Sequence, residues 1–157
     1  MSKKLPLAFL LTFTCYGTWL HGDKRGSVDK EHNIYGSEFV KSNERLNDKK
    51  ETDLKTNIIS LDQSQRKIIE KTIEEVCHHR QWELKAVNAR TNHVHAVVSG
   101  NADPDKMIND FKSYSTRRLV ESGHFEKGTR LWTSGGSTRY LWYEKSIDAA
   151  CRYVNEQ

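Results

Sequence analysis

Residues 82–89 and 93–99 are two short runs rich in β-forming residues, and only residues 90–92 separate them. A linker of three residues is short enough to close a hairpin, so we expect the two runs to pair as neighbouring antiparallel strands. The elements before and after this hairpin must then be arranged around a sheet that contains it.

Helical patterns of apolar residues stand on both sides of the hairpin. Between residues 60 and 80 apolar side chains recur at intervals of three and four, and Ser60 with Gln63 makes a capping box that would start a helix there. Residues 103–121 have a second amphipathic pattern, which predicts a helix with its apolar residues inward and its basic residues outward.

The two ends of the chain add a strand each and one further helix. Residues 7–16 alternate as a buried strand does, and residues 138–143 read as a last strand. A final helix is predicted from Ile147, with Ser146 as its N-cap. The order β, long loop, α, β, β, α, β, α predicts the fold class α+β: a ferredoxin-like (RRM-like) sandwich with an antiparallel sheet, plus a C-terminal helix.

The whole chain of 157 residues is expected to be a single domain, with a polar loop inserted at about residues 21–57. Its three cysteines lack any C-x-x-C pairing, which argues against a disulfide framework or a zinc knuckle and favours a cytoplasmic location. No run approaches the roughly 20 apolar residues of a membrane span, so no membrane partner is expected. The net charge of +4 suits a polyanionic partner, but the excess is spread evenly along the chain.

Two pairs of side chains can carry chemistry. His93 and His95 alternate with Val94 on the second hairpin strand, so both imidazoles point to one face and can converge on a metal ion. Tyr153 and Gln157 stand four residues apart and share a face of the last helix. Each pair also has a plainer interpretation: the histidines as satisfied polar residues beside a core, Tyr153 as a packing residue and Gln157 as a frayed end.

Together the two pairs would form a coherent site. Two imidazoles and a side-chain amide leave open positions on a divalent ion, which could hold a phosphate oxygen while a nearby tyrosine hydroxyl attacks the phosphorus. The product would be a covalent phosphotyrosine and a free 3′ hydroxyl.

The motifs resemble a known family. His93-Val94-His95 is similar to the His-hydrophobic-His motif of the HUH nucleases, and residues 151–157 look like their single-tyrosine helix. Further resemblance lies in residues 16–23 and 137–142. By order and spacing, the chain most resembles the single-tyrosine transposases of insertion sequences, and among them the REP-associated tyrosine transposases. Apart from residues 27–57, the resemblance covers nearly the whole chain.

The resemblance implies a role for each matching position. Tyr153 would be the nucleophile, and His93, His95 and Gln157 would be the ligands of Mg²⁺ or Mn²⁺, with Gln157 the least firmly held because it ends the given sequence. The chain would be a single-stranded DNA endonuclease and strand transferase that works through a 5′-phosphotyrosine at hairpin DNA. Relatives also imply a homodimer as one option, and a cytoplasmic, nucleoid-associated location.

Other residues are rival or supporting candidates. Tyr114, among basic residues of the second helix, is the rival nucleophile, although no ligand candidate lies one turn after it in the helix. Basic and aromatic side chains could grip phosphates and unpaired bases, although the same residues suit a solvated helix face or the core. The DNA-binding candidates are Trp19, His21, Arg25, Lys112, Arg117, Arg118, Arg139 and Trp142.

Two alternative functions remain open at this point. The predicted element order is also that of RNA-recognition domains, so the chain could be a non-catalytic nucleic-acid-binding domain. Metal-independent binding that survives loss of both histidines would favour that alternative. A phosphoesterase acting on small nucleotides is the second, but the histidine-triad hydrolases need a further histidine where this chain has Val97.

Overall fold

The structure is a computed structural model that describes residues 4–18 and 58–157. The loop predicted at about 21–57 lies outside the described residues, as do the DNA-binding candidates Trp19, His21 and Arg25. None of the helices in the two described ranges is long and apolar enough to cross a membrane.

In the part of the chain that the structure describes, four strands and three helices follow one another in the order β, α, β, β, α, β, α. The strands pair in the spatial order β2-β3-β1-β4, and every neighbouring pair is antiparallel. The fold class is therefore confirmed as α+β with a four-stranded antiparallel sheet. In chain order the elements are β1 (Ala8–Thr14), α1 (Gln63–Arg80), β2 (Glu83–Ala89), β3 (His93–Ser99), α2 (Pro104–Glu121), β4 (Ser137–Leu141) and α3 (Glu144–Asn155).

Helices α1 and α2 cover one face of the sheet. Alternate residues of the central strands, among them Phe13 on β1 and Val94 on β3, turn to this face and are fully buried there. Ile73 of α1 and Phe111 of α2 meet them from the helix layer. This cluster is the larger core, and burial of its aliphatic and aromatic side chains stabilises the pairing of both helices with the sheet.

Helix α3 covers part of the opposite face. Its residues Ile147, Ala150 and Val154 recur at helical spacing and are buried against a smaller apolar cluster that includes Ala86 and Val97. Strand β3 is therefore enclosed from both sides, which explains why residues 94–98 are all buried rather than alternately exposed.

The predicted cap of the first helix is wrong. Helix α1 begins after Asp62, whose side chain accepts a hydrogen bond from the backbone N–H of Gln65, while the Gln65 side chain accepts one from the backbone N–H of Asp62. The N–H of Leu61, the residue before Asp62, donates to the carbonyl of Thr91 at 2.7 Å. Ser60 lies two residues before the N-cap, outside the helix, and therefore does not start it.

The predicted cap of the last helix is also wrong. Ser146 is already inside α3, since its N–H and that of Ile147 both donate to the carbonyl of Tyr143, at 3.0 and 3.1 Å. Tyr143 is the N-cap and makes no side-chain capping bond. The helix starts two residues earlier than Ser146, and β4 ends at Leu141, earlier than predicted.

Lys112 does not face outward from α2 as predicted. Its side chain is buried, and its ammonium donates to the backbone carbonyls of Thr133, at 2.8 Å, and Gly135. Burial lowers the pKa of this amine. The glycine-containing segment before β4 folds back over α2 and supplies both carbonyls, so Lys112 fastens that segment and is not free to neutralise a phosphate.

We expect the Asp62→Ala variant to lower the free energy of unfolding by about 1 kcal/mol, because the backbone N–H of Gln65 loses the side-chain acceptor that caps the start of α1. Urea denaturation measures the change. Ser60→Ala is the matched control, and should stay within about 0.5 kcal/mol of the parent because Ser60 is exposed and caps nothing. The reverse order of the two effects would contradict the assigned helix start.

Candidate functional site

The two histidines lie on the face of the sheet that α3 partly covers. In register, His95 stands opposite Thr12 on β1 and Asn88 on β2, and His93 stands opposite Thr14. The ring centroids of His93 and His95 are 4.7 Å apart, with the rings nearly perpendicular. The prediction that both imidazoles share one face is therefore confirmed.

Each imidazole uses its Nδ1 atom for a hydrogen bond within the protein. His93 Nδ1 lies 2.7 Å from the side-chain oxygen of Asn92, and His95 Nδ1 lies 2.8 Å from the hydroxyl oxygen of Thr12. An amide oxygen only accepts, so His93 must donate through Nδ1, and its Nε2 keeps a lone pair. Thr12 can accept from His95 in the same way, which would leave both Nε2 atoms as potential ligands.

The surroundings keep both imidazoles neutral. Burial lowers the pKa of His95 to about 4, and the neighbouring His93 and the charge of Arg90 act in the same direction. Burial and Arg90 also lower the pKa of His93, against a smaller opposite effect from hydrogen bonding to the Gln157 side chain. Neutral imidazole is the form that binds metal ions, so the environment favours the ligand state at neutral pH.

Helix α3 brings Tyr153 to the histidines. The ring centroid of Tyr153 lies 5.4 Å from that of His95, with an interplanar angle of 66°. The side chain remains 48% exposed, whereas its neighbour Val154 is completely buried. Tyr153 is thus at the rim of the smaller core, with one side against His95 and the other open to solvent.

The end of α3 is fastened to the hairpin by polar side chains. Asn88 of β2 donates from its side-chain amide to the carbonyl of Val154 at 2.8 Å and to that of Gln157 at 3.4 Å. The guanidinium of Arg90 also donates to the Gln157 carbonyl. Carbonyls at a helix C-terminus have no partner within the helix, so these bonds satisfy them and fix the turn after Tyr153. The same contacts hold the backbone of Gln157 against the hairpin that carries His93.

The candidate donor atoms could hold a divalent ion only if further ligands complete its coordination. Within residues 4–18 and 58–157, no three His, Cys, Asp or Glu side chains come together as a metal cluster. Among these described residues, the candidate donors are the two imidazoles and the amide of Gln157, all neutral. An ion bound by neutral ligands keeps its full charge and has open positions, which suits an anionic phosphate as a further ligand.

The structure separates the rival nucleophile from this site. Tyr114 lies on α2 and packs against the larger core, on the opposite face of the sheet from the histidines. The guanidinium of Arg117 lies over its ring, 5.3 Å from the centroid. Arg118 is on the same helix and forms an ion pair with Glu75 at 2.8 Å. Neither arginine lies on the face that holds His95 and Tyr153.

Two candidates for DNA binding lie on or next to the edge strand β4. Arg139 is exposed and pairs in register with Leu10, which packs in the smaller core, so it shares the face of the histidines. Trp142 follows the strand and stacks on Tyr140, whose register partner Phe9 belongs to the larger core. Trp142 therefore lies on the other side of the sheet edge from Arg139.

Sequence reasoning missed the residues that orient the site. Asn92 directly precedes His93, so its contact could have been proposed from adjacency. Thr12 is 83 positions away from His95, and only the strand register brings them together. Asn88 likewise depends on where α3 docks.

Comparison with known proteins gives a family match and two similar folds. The family model described as transposase IS200 like matches residues 53–157. A structure of a REP-associated tyrosine transposase bound to a REP hairpin has a TM-score of 0.53 at 10% identity, over 98% of this chain and 68% of that chain. A crystal structure of a candidate transposase from Deinococcus radiodurans R1 has a TM-score of 0.51 at 13% identity, over 100% and 95%. At these identities the two structures show similarity of fold alone. A search of curated proteins finds no match.

We expect Asn88→Ala to loosen the end of α3, because the Val154 carbonyl loses its side-chain donor. Amide hydrogen exchange in residues 152–155 should become about fivefold faster, which corresponds to one hydrogen bond of about 1 kcal/mol. Asn109→Ala, an exposed change on α2, is the control and should leave these amides unaffected. Unchanged protection in Asn88→Ala would show that the Asn88 hydrogen bond does not hold the end of α3.

Proposed function

We propose that this chain, which belongs to the family of IS200-like transposases, cuts and rejoins single-stranded DNA through Tyr153. The observation that carries this proposal is the position of Tyr153, half-exposed on α3 with its ring centroid 5.4 Å from that of the buried His95. A nucleophile needs both access to substrate and a neighbouring group that can stabilise the developing charge.

The chemical step transfers a phosphoryl group to the tyrosine. The Tyr153 hydroxyl gives up its proton to solvent, and its oxygen forms a bond to the phosphorus of a DNA phosphodiester. The bond from phosphorus to the 3′ oxygen breaks, and that oxygen takes up a proton to become a free 3′ hydroxyl. The 5′ phosphate stays on Tyr153, and attack by another 3′ hydroxyl on this linkage restores a phosphodiester without an external energy source.

His93, His95 and Gln157 are the residues that would hold Mg²⁺ or Mn²⁺. When bound, the ion would polarise a non-bridging phosphate oxygen and offset its charge. Asn92 and Thr12 orient the two imidazoles, and Asn88 with Arg90 keeps the end of α3 beside them. The apolar contacts of α3 with the sheet limit water on the covered side of the site.

The proposed substrate is single-stranded DNA that contains a hairpin. One structural relative is bound to a REP hairpin, and the net charge of +4 suits a nucleic acid partner. Arg139, exposed on the same face as the histidines, is placed to contact the DNA backbone. Because Tyr153 lies over the histidine of its own chain, we propose that one chain can form a complete site and that the homodimer is not required for cleavage. We place this activity in the cytoplasm, at the nucleoid DNA.

Covalent trapping tests the nucleophile. With Mn²⁺ and a hairpin oligonucleotide that carries a single-stranded flank, we expect the protein to form an adduct that survives denaturing electrophoresis, and Tyr153→Phe to abolish it by removing the attacking oxygen. Tyr114→Phe is the matched control and should form the adduct normally. If Tyr153→Phe still forms the adduct and Tyr114→Phe does not, the assignment of the nucleophile is wrong.

Isothermal titration with Mn²⁺ in the absence of DNA tests the ligands. His95→Ala should remove measurable binding, whereas His79→Ala, an exposed change on α1, should not alter it. Thr12→Val should weaken binding about tenfold or more, because His95 loses the partner that orients its ring. Thr12→Ser keeps the hydroxyl and should bind almost as the parent does. Equal affinity of the parent and His95→Ala would exclude the proposed metal site.

A further inference from the structure

Two exposed aromatic rings are stacked at the edge of the sheet, on the side away from the histidines. The centroids of Tyr140 and Trp142 are 6.2 Å apart with an interplanar angle of 30°. Tyr140 in turn rests edge-on against Phe9 of the larger core, at 5.6 Å. We call the pair Tyr140 and Trp142 the ring platform. Contact with Phe9 and with each other holds these rings in place.

The rings of the platform are much more exposed than the apolar side chains of the central strands on the same side of the sheet. The side chains of Tyr140 and Trp142 are 51% and 38% exposed, although both belong to the sheet side that α1 and α2 cover. Those helices pack on the central strands, where Leu11 and Phe13 of β1 are fully buried, and leave the β4 edge open. Adjacent exposed aromatic side chains at such an edge are a common mark of an interaction site.

Positive charge accompanies the rings. The ammonium of Lys4 lies 5.8 Å from the centroid of the Trp142 ring and 5.4 Å from that of Tyr143. Arg139, the residue before Tyr140, projects from the other face of the same strand. A base that stacks on the platform would thus have a cation near the phosphate on one side and another across the strand edge. Flat rings beside cations are the combination that binds unpaired bases with little sequence preference.

We propose that the ring platform binds an unpaired base of the DNA substrate, at a second contact separate from the cleavage centre. This proposal rests on the proposed function for its substrate class. Single-stranded DNA that passes from the histidine face around the β4 edge would meet Arg139 first and the platform next. The platform would add affinity for unpaired DNA and would take no part in the attack by Tyr153.

Binding without cleavage tests the platform. The full chain carrying Tyr153→Phe is titrated in EDTA against a fluorescent single-stranded oligonucleotide, and separately against the same sequence as a duplex, with anisotropy as the readout. Adding Trp142→Leu should weaken single-strand binding about tenfold, the effect of one lost base stack, and leave duplex binding unchanged. Trp142→Phe keeps an aromatic face and should lose much less.

Leu5→Ala is the matched control, because Leu5 is a 69% exposed apolar residue near the same end of the sheet without an aromatic ring. It should bind single strands as the parent does. Since Trp142 is partly exposed, Trp142→Leu should keep the thermal unfolding midpoint of the parent within a few degrees. Equal single-strand affinity of Trp142→Leu and the parent, or an equal loss for duplex and single strand, would overturn the proposal.

The outcomes also separate this proposal from the proposed function. If Tyr153 forms no adduct but Trp142→Leu weakens single-strand binding selectively, the platform stands and the nuclease assignment fails. If the adduct forms and Trp142→Leu binds DNA normally, only the platform fails. Sedimentation of the DNA-free protein tests whether the rings contact a second copy of the chain instead of DNA. If Trp142→Leu dissociates a dimer and leaves DNA affinity unaltered, they do, and the proposal is wrong.

Discussion

The packing of α3 on the sheet is the contact on which the candidate site depends. Ile147, Ala150 and Val154 are buried against the smaller apolar cluster, and their helical spacing fixes which side of α3 faces the strands. Tyr153, next to Val154 in the helix, is thereby turned to the rim of the contact and against His95. Without the packing of α3 on the smaller apolar cluster, Tyr153 and the two histidines would not lie next to each other.

A second constraint is the charge of the candidate donor set, which contains no carboxylate among the residues that the structure describes. Two neutral imidazoles and an amide do not offset the charge of a divalent ion, so the strongest available compensation is an anionic substrate. Burial and the nearby Arg90 also disfavour positive charge at this site, because both lower the pKa of each histidine. A site built in this way would hold its ion best when a phosphate is present, which couples metal binding to DNA binding.

The sequence predicted the parts of the structure that depend on local pattern. The short hairpin linker and the two-residue period placed β3 at His93–Ser99 as observed, and the shared face of His93 and His95 followed from the same period. The helix caps at Ser60 and Ser146 were wrong because tertiary hydrogen bonds and the helix register override a capping residue.

Contacts between distant segments could not be predicted from the local sequence pattern. Lys112 is satisfied by carbonyls more than 20 residues later in the chain, and Thr12 meets His95 only through strand pairing. The roles of Tyr153 and of the ligands came from motif resemblance and remain predictions, although the structure brings those residues together.

We propose that the sheet face and α3 of one chain form one site for an ion and a phosphate. The most direct measurement is a crystal structure of the Tyr153→Phe protein with hairpin DNA and Mn²⁺, using the anomalous signal of manganese. We expect an ion bound by Nε2 of both His93 and His95, with a DNA phosphate between that ion and the ring at position 153 of the same chain. Manganese bound away from the histidines, or a phosphate facing Tyr114 instead, would contradict it.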